Sequence, residues 1–386
     1  MTFSRPALHA PVLAEGQLDL IRPRLNTIAV ARMQLALAVA PAPITTSVSI
    51  PLTTVSLQTN FDAMIHITYP WKQGSAVELM VDSGNASLIV PSYSDIARLP
   101  NFANAYRVLA QNVSEPWGCP ANILQGPIQI PMKDGGVYTI RDCVFYACTG
   151  PNPNGARPTA NFGTGWVSPW PNANGITLQS PLSYDANFPF AEFRYAPAAQ
   201  LLSAAATPDV NQSSQLTLYR TMPAGYRSFD VKRDCAWMSL TPKSLSIGGQ
   251  LTGWPGARDS IAMMDTGGGP VFLSDPDNFV FSRAWPDPAS NPAWAGPPAS
   301  VACQSTFDQI TIEVGDDNGS YSYTIDTSHL PAPVQGLTLV MCEKCYYMMD
   351  NDGMNVGGIS ALFNDIVVDY VQGRIGLRPK APPAVA

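Results

Sequence analysis

Two aspartates, Asp82 and Asp265, stand in segments of the same residue pattern 183 positions apart. In each segment three apolar residues precede the Asp, a hydroxyl residue and a glycine follow it, and a second apolar run closes the segment. Two carboxyl groups held within hydrogen-bond reach share one proton, because like charges that close cannot both ionise. Such a pair can accept a proton from a water molecule and donate one to a carbonyl oxygen, which is the chemistry of amide hydrolysis.

The residues around each Asp predict a buried strand that ends in a tight loop and returns as a second buried strand. Gly84 and Gly267 follow the hydroxyl residues, where a glycine allows a backbone φ that a Cβ would forbid. An isolated Asp-Ser-Gly or Asp-Thr-Gly indicates an ordinary turn, in which the Asp side chain binds nearby backbone amides. Two copies between apolar triplets favour a site, because duplicated loops can meet about a two-fold axis and bring their carboxylates together.

The composition of the 386-residue chain predicts a globular, mostly β protein. It is 46% hydrophobic and 13% charged, which provides enough apolar material for a core. The 37 prolines and 29 glycines interrupt long helices and favour short strands joined by turns. A net charge of -7, with no cluster of Lys and Arg, argues against a nucleic-acid partner. No apolar run approaches the length of about 18 residues that a membrane span needs.

The two Asp loops resemble those of the pepsin-like aspartic proteases, whose signature is an apolar-apolar-Asp-Thr-Gly loop in each of two β-rich lobes. Residues 61–92 are similar to the first strands and loop of the family, residues 244–249 to the glycine turn that opens its second lobe, and residues 356–377 to its closing elements. The resemblance extends over about residues 60–380. It implies a mostly β, bilobal fold, a pepsin-like double β-barrel with a central cleft.

The resemblance and the local composition of the sequence divide the chain into four segments. We expect an N-terminal extension or pro-like segment at 1–45, a β lobe with the first Asp loop at 46–180, a second β lobe with the second Asp loop at 181–380, and a tail at 381–386. The first segment carries four arginines and a stretch rich in Pro and Ala. It favours a covering strand or a pro-segment over a signal peptide, since its apolar run is short and far from the N-terminus.

The resemblance implies an aspartic-type endopeptidase that hydrolyses peptide bonds with a water activated between Asp82 and Asp265, at an acidic pH optimum. The implied substrates are extended peptides or proteins with apolar side chains beside the cleaved bond. The implied enzyme is a monomer without a metal or an organic cofactor. The hydroxyls of Ser83 and Thr266 are implied to bond across to the opposite loop and hold the carboxylates coplanar. Four glycines are implied to support the loops from within or behind: Gly84, Gly267, Gly165 and Gly357.

Several positions depart from the family pattern. Asn85 and Gly268 are the third residues after each Asp, where the family carries a Ser or Thr that bonds the carboxylate. An Asn amide can donate that bond and glycine has only its backbone N–H, so Asn85 is expected to be a supporting donor. The family's flap, a hairpin over the cleft, carries Tyr-Gly, and the nearest match here is Trp117-Gly118. The indole N–H of Trp117 is either the flap donor to the substrate or part of an ordinary apolar anchor.

These departures keep a function of another class open. The chain is then a pepsin-fold protein without proteolytic activity, either a binding module or an enzyme that applies the Asp pair to a different acid/base reaction. Other catalytic patterns are disfavoured, because the chain has three histidines and lacks both a G-x-S-x-G elbow and a phosphate-binding glycine loop with its lysine.

The seven cysteines leave at least one without a disulfide partner. A bridge from Cys303 to Cys342 or Cys345 resembles a second-lobe disulfide of the family. Cys342 and Cys345 also form a CxxC, but no second pair stands at zinc-site spacing, so no metal site is expected.

A second bridge is expected from the positions of three further cysteines. Cys119 can staple the flap hairpin through either Cys143 or Cys148, a pairing with no match in the family. Disulfides indicate an oxidising compartment and hence a secreted or extracytoplasmic location. The alternative is that several of the cysteines are small buried hydrophobic residues.

Overall fold

A computed structural model describes residues 46–54, 63–67, 76–116, 118–151, 160–166, 175–195, 214–231, 239–247, 250–251, 261–266, 271–274, 303–305, 309–326, 339–342, 353–356 and 358–380. The expected N-terminal extension 1–45 and tail 381–386 lie outside these ranges, as do Trp117, Gly267, Gly268 and Gly357. The described part is mostly β, so this prediction from composition and resemblance is confirmed.

Twenty-three strands are present in the described ranges. The first ten are β1 (Ser47–Pro51), β2 (Thr53–Thr54), β3 (Ala63–Ile67), β4 (Val77–Asp82), β5 (Leu88–Val90), β6 (Arg107–Ser114), β7 (Pro120–Pro131), β8 (Val137–Cys148), β9 (Asn161–Gly163) and β10 (Phe190–Arg194). The others are β11 (Gln215–Tyr219), β12 (Arg227–Asp230), β13 (Ser239–Ile247), β14 (Gln250–Leu251), β15 (Ile261–Met263), β16 (Val271–Ser274), β17 (Cys303–Ser305), β18 (Gln309–Asp316), β19 (Gly319–Asp326), β20 (Leu339–Cys342), β21 (Gly353–Asn355), β22 (Asn364–Asp369) and β23 (Arg374–Pro379). Two short helices, α1 (Tyr93–Ala97) and α2 (Phe102–Ala105), follow β5, and 3-10 turns occupy Pro181–Tyr184 and Gly358–Leu362.

The first Asp lies in an eight-stranded sheet with the strand order β2-β3-β4-β9-β5-β8-β7-β6. β4 ends at Asp82, and its alternate residues Leu79 and Val81 are completely buried, as expected for a strand with one face in the core. β9 lies between β4 and β5, parallel to β4 and antiparallel to β5. The loop that carries Asp82 therefore bridges β9, from one neighbouring strand to the other.

The second Asp lies in a nine-stranded sheet. Its main strand order is β17-β20-β16-β21-β15-β13-β18-β19, and β14 pairs with β13. β21 lies between β15 and β16, parallel to β15 and antiparallel to β16, so the loop that carries Asp265 bridges β21 as the first loop bridges β9. The next strand is parallel in both sheets, β8 beside β5 and β20 beside β16. The predicted strand-loop-strand unit is confirmed at Asp82. At Asp265 the strands before and after the loop are confirmed, within the same four-strand arrangement, whereas residues 267–270 lie outside the described residues.

A third, six-stranded sheet brings together strands from both ends of the described chain. Its order is β1-β11-β10-β22-β23-β12, and every neighbouring pair is antiparallel. The buried Glu192 on β10 accepts hydrogen bonds from Tyr219 Oη at 2.9 Å, Tyr226 Oη at 2.5 Å and Arg378 Nη2 at 3.0 Å. Its charge is therefore compensated inside the sheet. One continuous apolar core contains side chains from all three sheets.

The double β-barrel expected from the resemblance is not confirmed. Closure of a barrel requires pairing between the first and last strands of a sheet, and each of the three sheets is open along the described residues. The lobe boundaries at residues 180 and 380 stay predictions. Along the described residues, no helix combines the length and apolar character that crossing a membrane requires.

Candidate active site

The first Asp loop, residues 83–87, connects β4 to β5 and lies mostly in the protein interior. Asp82 itself is 6% exposed. The Gly84 N–H donates to Asp82 Oδ1 at 2.8 Å, so the loop closes on its own carboxylate. At the end of β9, the Thr164 N–H donates to the backbone carbonyl of Asp82 at 2.7 Å. The loop is thus anchored to the strand that it bridges.

The second Asp loop follows β15 and is described as far as Thr266. Met264, Asp265 and Thr266 are all buried, with Asp265 7% exposed. The predicted supporting residue Gly267 and the departure at Gly268 lie outside the described residues.

The hydroxyls of Ser83 and Thr266 join the two Asp loops through four hydrogen bonds, which we call the hydroxyl brace. The Ser83 N–H donates to Thr266 Oγ1 at 3.1 Å, and the Thr266 N–H donates to Ser83 Oγ at 2.9 Å. Thr266 Oγ1 donates to the Val81 carbonyl at 3.0 Å, and Ser83 Oγ donates to the Met264 carbonyl. Each hydroxyl therefore accepts from the amide after the opposite Asp and donates to the carbonyl before it. The bonds across the loops that the resemblance implies are present, and they are reciprocal.

The brace brings the two carboxyl groups into hydrogen-bond contact. Gly84 is required by the closeness of Asp265, because a Cβ at position 84 would lie 2.6 Å from Asp265 Cγ and 2.7 Å from its Oδ1. The expectation that this glycine provides a special φ is wrong, since Gly84 is not among the residues with positive φ. A glycine is needed here because the second carboxyl occupies the space that a side chain would fill.

The environment of the pair favours retention of a proton. Burial, followed by the negative charge of Asp265 and a hydrogen bond to it, raises the pKa of Asp82 well above its ordinary value. Hydrogen bonds from the Asn161 amide and the Gly84 N–H act in the opposite direction, since they stabilise the carboxylate. The raising effects are larger, so Asp82 stays protonated to higher pH than an isolated Asp would.

Asn161, which the sequence analysis missed, is the side-chain donor to Asp82. Its Nδ2 donates to Asp82 Oδ2 at 2.7 Å. Asn85, which was expected to make that bond, instead donates from Nδ2 to Asn161 Oδ1 at 3.2 Å and accepts from the Ser87 N–H at 2.9 Å. Asn85 therefore supports Asp82 through Asn161, because the Asn161 side chain on β9 contacts both Asn85 and the Asp82 carboxylate. A signal was available in the pattern Asn-apolar-Gly, which occurs at 161–163 and again at 355–357.

Two glycines pack the end of β9 tightly against the first Asp loop. A Cβ on Gly163 would lie 2.4 Å from the Ser87 nitrogen, and one on Gly165 would lie 3.0 Å from the Asn85 carbonyl. Gly165 also donates its N–H to the Asn85 carbonyl at 2.8 Å. Gly165 thus lies behind the loop as the resemblance implies. The register and the sequence pattern match Gly357 to Gly163 rather than to Gly165, and Gly357 itself lies outside the described residues.

Gly118, one of the two candidate flap residues, lies at the tip of a β-hairpin formed by β6 and β7. The Glu115 N–H donates to the Cys119 carbonyl and the Gly118 N–H to the Glu115 carbonyl, both at 2.9 Å. The Glu115 carboxylate accepts from the Cys119 N–H at 2.8 Å. Gly118 has a φ of 95°, a conformation that favours glycine, so its place in the turn is explained by backbone geometry alone. Trp117 lies outside the described residues.

The expected staple between Cys119 and Cys143 or Cys148 is absent. All three cysteines are buried and remain thiols. Cys143 pairs with Gly126 in the β7–β8 register, which is seven residues, or about 23 Å of extended strand, from Cys119. A disulfide needs Cα atoms within about 7 Å, so that pairing is excluded by the register. Cys148 lies beside Cys119, and burial first, then nearby Glu115 and Cys119, raise its pKa to about 12.

The other expected bridge involves Cys303 and Cys342 or Cys345, whose side chains lie outside the described residues. Among the described residues, no group of three His, Cys, Asp or Glu side chains is placed to hold a metal ion.

No protein-family model matches the chain, and no curated protein matches it in sequence. The functional interpretation therefore depends on the residues and their contacts.

Proposed function

We propose that this chain is an aspartic-type endopeptidase, which hydrolyses peptide bonds with a water molecule activated between Asp82 and Asp265. The observation that supports this most is the hydroxyl brace, since it ties two buried acidic loops together from positions 183 residues apart. An ordinary Asp turn binds its own backbone amides and does not need a reciprocal partner. A buried carboxyl pair is costly to ionise and is retained where the shared proton is used.

The chemistry follows from one proton distributed over two carboxyls. The unprotonated carboxylate accepts a proton from the water as its oxygen attacks the substrate carbonyl carbon. The protonated carboxyl donates a hydrogen bond to the carbonyl oxygen, which gains negative charge as the new C–O bond forms. The C–N bond then breaks as the carbonyl re-forms, and the amine leaves with the proton that the carboxylate took from the water. The neighbouring carbonyls and amides are engaged in the brace, so the two carboxyls keep their mutual orientation while the proton moves.

An acidic optimum follows from the same pair. Activity requires one proton across Asp82 and Asp265, and it is lost when both carboxyls are ionised. Burial and the charge of Asp265 raise the pKa of Asp82, which extends the singly protonated state toward higher pH. Activity therefore declines on the alkaline side as that proton leaves, and on the acidic side as the second carboxyl becomes protonated.

The proposal includes a two-lobed arrangement with a cleft for an extended peptide. Its support is the equivalent four-strand surroundings of the two Asp loops, β4, β9, β5 and β8 in one sheet and β15, β21, β16 and β20 in the other. Two equivalent units joined by reciprocal bonds are related by an approximate two-fold axis. A strand-like substrate that approaches along this axis meets both carboxyls at once.

The test is cleavage of denatured haemoglobin by the purified full chain between pH 3 and pH 7. We expect cleavage that is strongest at the acidic end, and a loss of about three orders of magnitude in Asp82→Asn and in Asp265→Asn. The matched control is Asp369→Asn, a buried Asp whose carboxylate accepts from the Val371 and Gln372 N–H groups. Full activity in either active-site variant, with the control also active, contradicts the proposal.

The second candidate function is a pepsin-fold protein without proteolytic activity, a binding module or an enzyme with another acid/base reaction. The observation that favours it is the hairpin turn at 115–119, where Trp117 stands in place of the expected Tyr. The same assay separates the two candidates. A folded wild-type chain that cleaves nothing across the whole pH range, while its carboxyl pair still titrates as one unit, supports the second candidate.

A further inference from the structure

The Asn161 side chain lies in a relay of buried amides that ends on Asp82. The relay begins at the Ser87 N–H, which donates to Asn85 Oδ1 at 2.9 Å. Asn85 Nδ2 donates to Asn161 Oδ1 at 3.2 Å, and Asn161 Nδ2 donates to Asp82 Oδ2 at 2.7 Å. Asn161, Asn85 and Ser87 are all buried, so water does not compete for these bonds.

The Ser87 N–H determines the orientation of both side-chain amides in the relay, and the carboxyl groups are not needed to assign it. A backbone N–H is a donor only, so the Asn85 atom that contacts the Ser87 N–H is its oxygen. The Asn85 NH2 group therefore faces Asn161, which must present its own oxygen. The Asn161 NH2 group is then left to face Asp82. The donor to Asp82 is thus determined by a backbone amide two bonds away in the relay.

This donor differs from a hydroxyl in one respect that matters for an acid/base pair. An amide NH2 group only donates, whereas a hydroxyl can also accept a hydrogen bond from a protonated carboxyl. A neutral donor to a carboxylate stabilises the ionised form relative to the protonated form. The charged group that acts on Asp82 is Asp265, since Asn161 on β9 and the Gly84 amide are neutral.

We propose that Asn161 is a positioning residue, which turns Oδ2 of Asp82 toward β9 and stabilises the ionised form of Asp82. Asn85 is the residue that orients Asn161 for this task. The inference rests on the proposed function for its catalytic consequence, while the effect on the titration of the pair belongs to the free protein. The position is specific to the first loop, because Gly268 stands where Asn85 stands and has no side chain to orient a second amide.

The experiment is the titration of the carboxyl pair followed by 13C NMR in protein labelled at aspartate. In Asn161→Ala we expect the lower of the two pKa values of the pair to rise by about one, a tenfold change in the ionisation constant. Asn85→Ala removes only the orientation and should shift the same pKa in the same direction by less. Asn364→Ala is the matched control, a buried asparagine that accepts from Tyr321 Oη at 2.7 Å and donates to the Ser360 carbonyl at 3.2 Å.

An unchanged lower pKa in folded Asn161→Ala overturns the proposal, and so does an equal shift in Asn364→Ala. Should Asn161→Ala fail to fold, Asn85→Ala decides, since a shift supports the relay and no shift overturns it. The acid limb of kcat against pH gives a second measurement, which should move with the titration. The two failures are distinguishable. If the wild-type chain cleaves no peptide but Asn161→Ala still shifts the titration of the pair, the positioning role is supported and only the proposed function is rejected.

Discussion

The two Asp loops share their strand surroundings and differ in sequence at the third residue after the Asp. Both loops bridge a central strand that is parallel to the strand before the Asp and antiparallel to the strand after it. The register also agrees, since Met80 pairs with Asn161 and Met263 pairs with Asn355. At the third position after the Asp, one loop carries Asn85 and the other Gly268.

The residues that the two loops share and the position at which they differ perform separate tasks. The shared elements hold the carboxyls together through the hydroxyl brace, which is reciprocal and treats both loops alike. The differing position adds a neutral donor to one carboxyl, through Asn161. A reciprocal brace thus joins two loops of which the first also carries a relay of buried amides to its carboxylate.

The largest expected effect comes from breaking the brace. Ser83→Ala leaves the buried Thr266 N–H and Met264 carbonyl without their Ser83 partner, which should lower the free energy of unfolding by about 2 to 4 kcal/mol. Urea denaturation measures it. Thr266→Ala should cost a similar amount, because its bonds mirror those of Ser83. A large difference between the two variants contradicts the symmetry.

The matched control for the brace is Ser87→Ala in the same loop. The Ser87 hydroxyl is buried and has no hydrogen-bond partner among the described residues. Its removal should change the free energy of unfolding by about 1 kcal/mol or less, since no bond is lost.

Gly84→Ala should have the next largest effect. The added Cβ would lie 2.6 Å from Asp265 Cγ, so the carboxyls must separate, at a cost of about 1 to 3 kcal/mol in unfolding free energy. A misplaced reacting group should also lower kcat/KM by about a hundredfold. Gly319→Ala is the control, because a Cβ there meets no atom within 4 Å. Wild-type activity in Gly84→Ala would show that the two carboxyls do not need their present closeness.

A smaller effect is expected in the pH dependence of stability. Because burial and Asp265 raise the pKa of Asp82, the folded chain retains a proton that the unfolded chain releases above the ordinary Asp pKa of 3.8. The unfolding free energy of the wild type should therefore fall as pH rises from 3.8 through the raised pKa, since the unfolded state binds fewer protons there. Asp82→Asn should lack this fall. Denaturation curves of the two proteins that stay parallel from pH 3 to pH 8 would contradict a shared proton.

The smallest effect is expected from Asn355→Ala, which probes the second loop at the register position of Asn161. Without an amide at position 268 to orient it, Asn355 should shift the titration of the pair less than Asn161 does. Aspartate 13C NMR on both variants makes the comparison. A larger shift in Asn355→Ala would contradict the orienting role proposed for Asn85.

Local pattern was sufficient to predict the Asp loops, because apolar triplets, hydroxyl residues and glycines are read directly along the chain. It predicted the contacts of Ser83 and Thr266 only through the resemblance. Asn161 was missed because its contact with Asp82 depends on the parallel pairing of β9 with β4, and strand register is not a property of neighbouring residues. The wrong bridge from Cys119 to Cys143 has the same cause, since only the β7–β8 register separates them.

The reciprocal brace has a consequence for how the protein matures. Each hydroxyl completes its bonds on backbone groups supplied by the other half of the polypeptide, so neither half can complete the hydrogen bonds of its Asp loop in isolation. A nascent chain that has emerged only through β9 holds one acid group with nothing to share its proton. On the proposed function, proteolytic activity would arise only when the two halves dock. An incompletely synthesised chain would therefore be inactive in the cell that makes it.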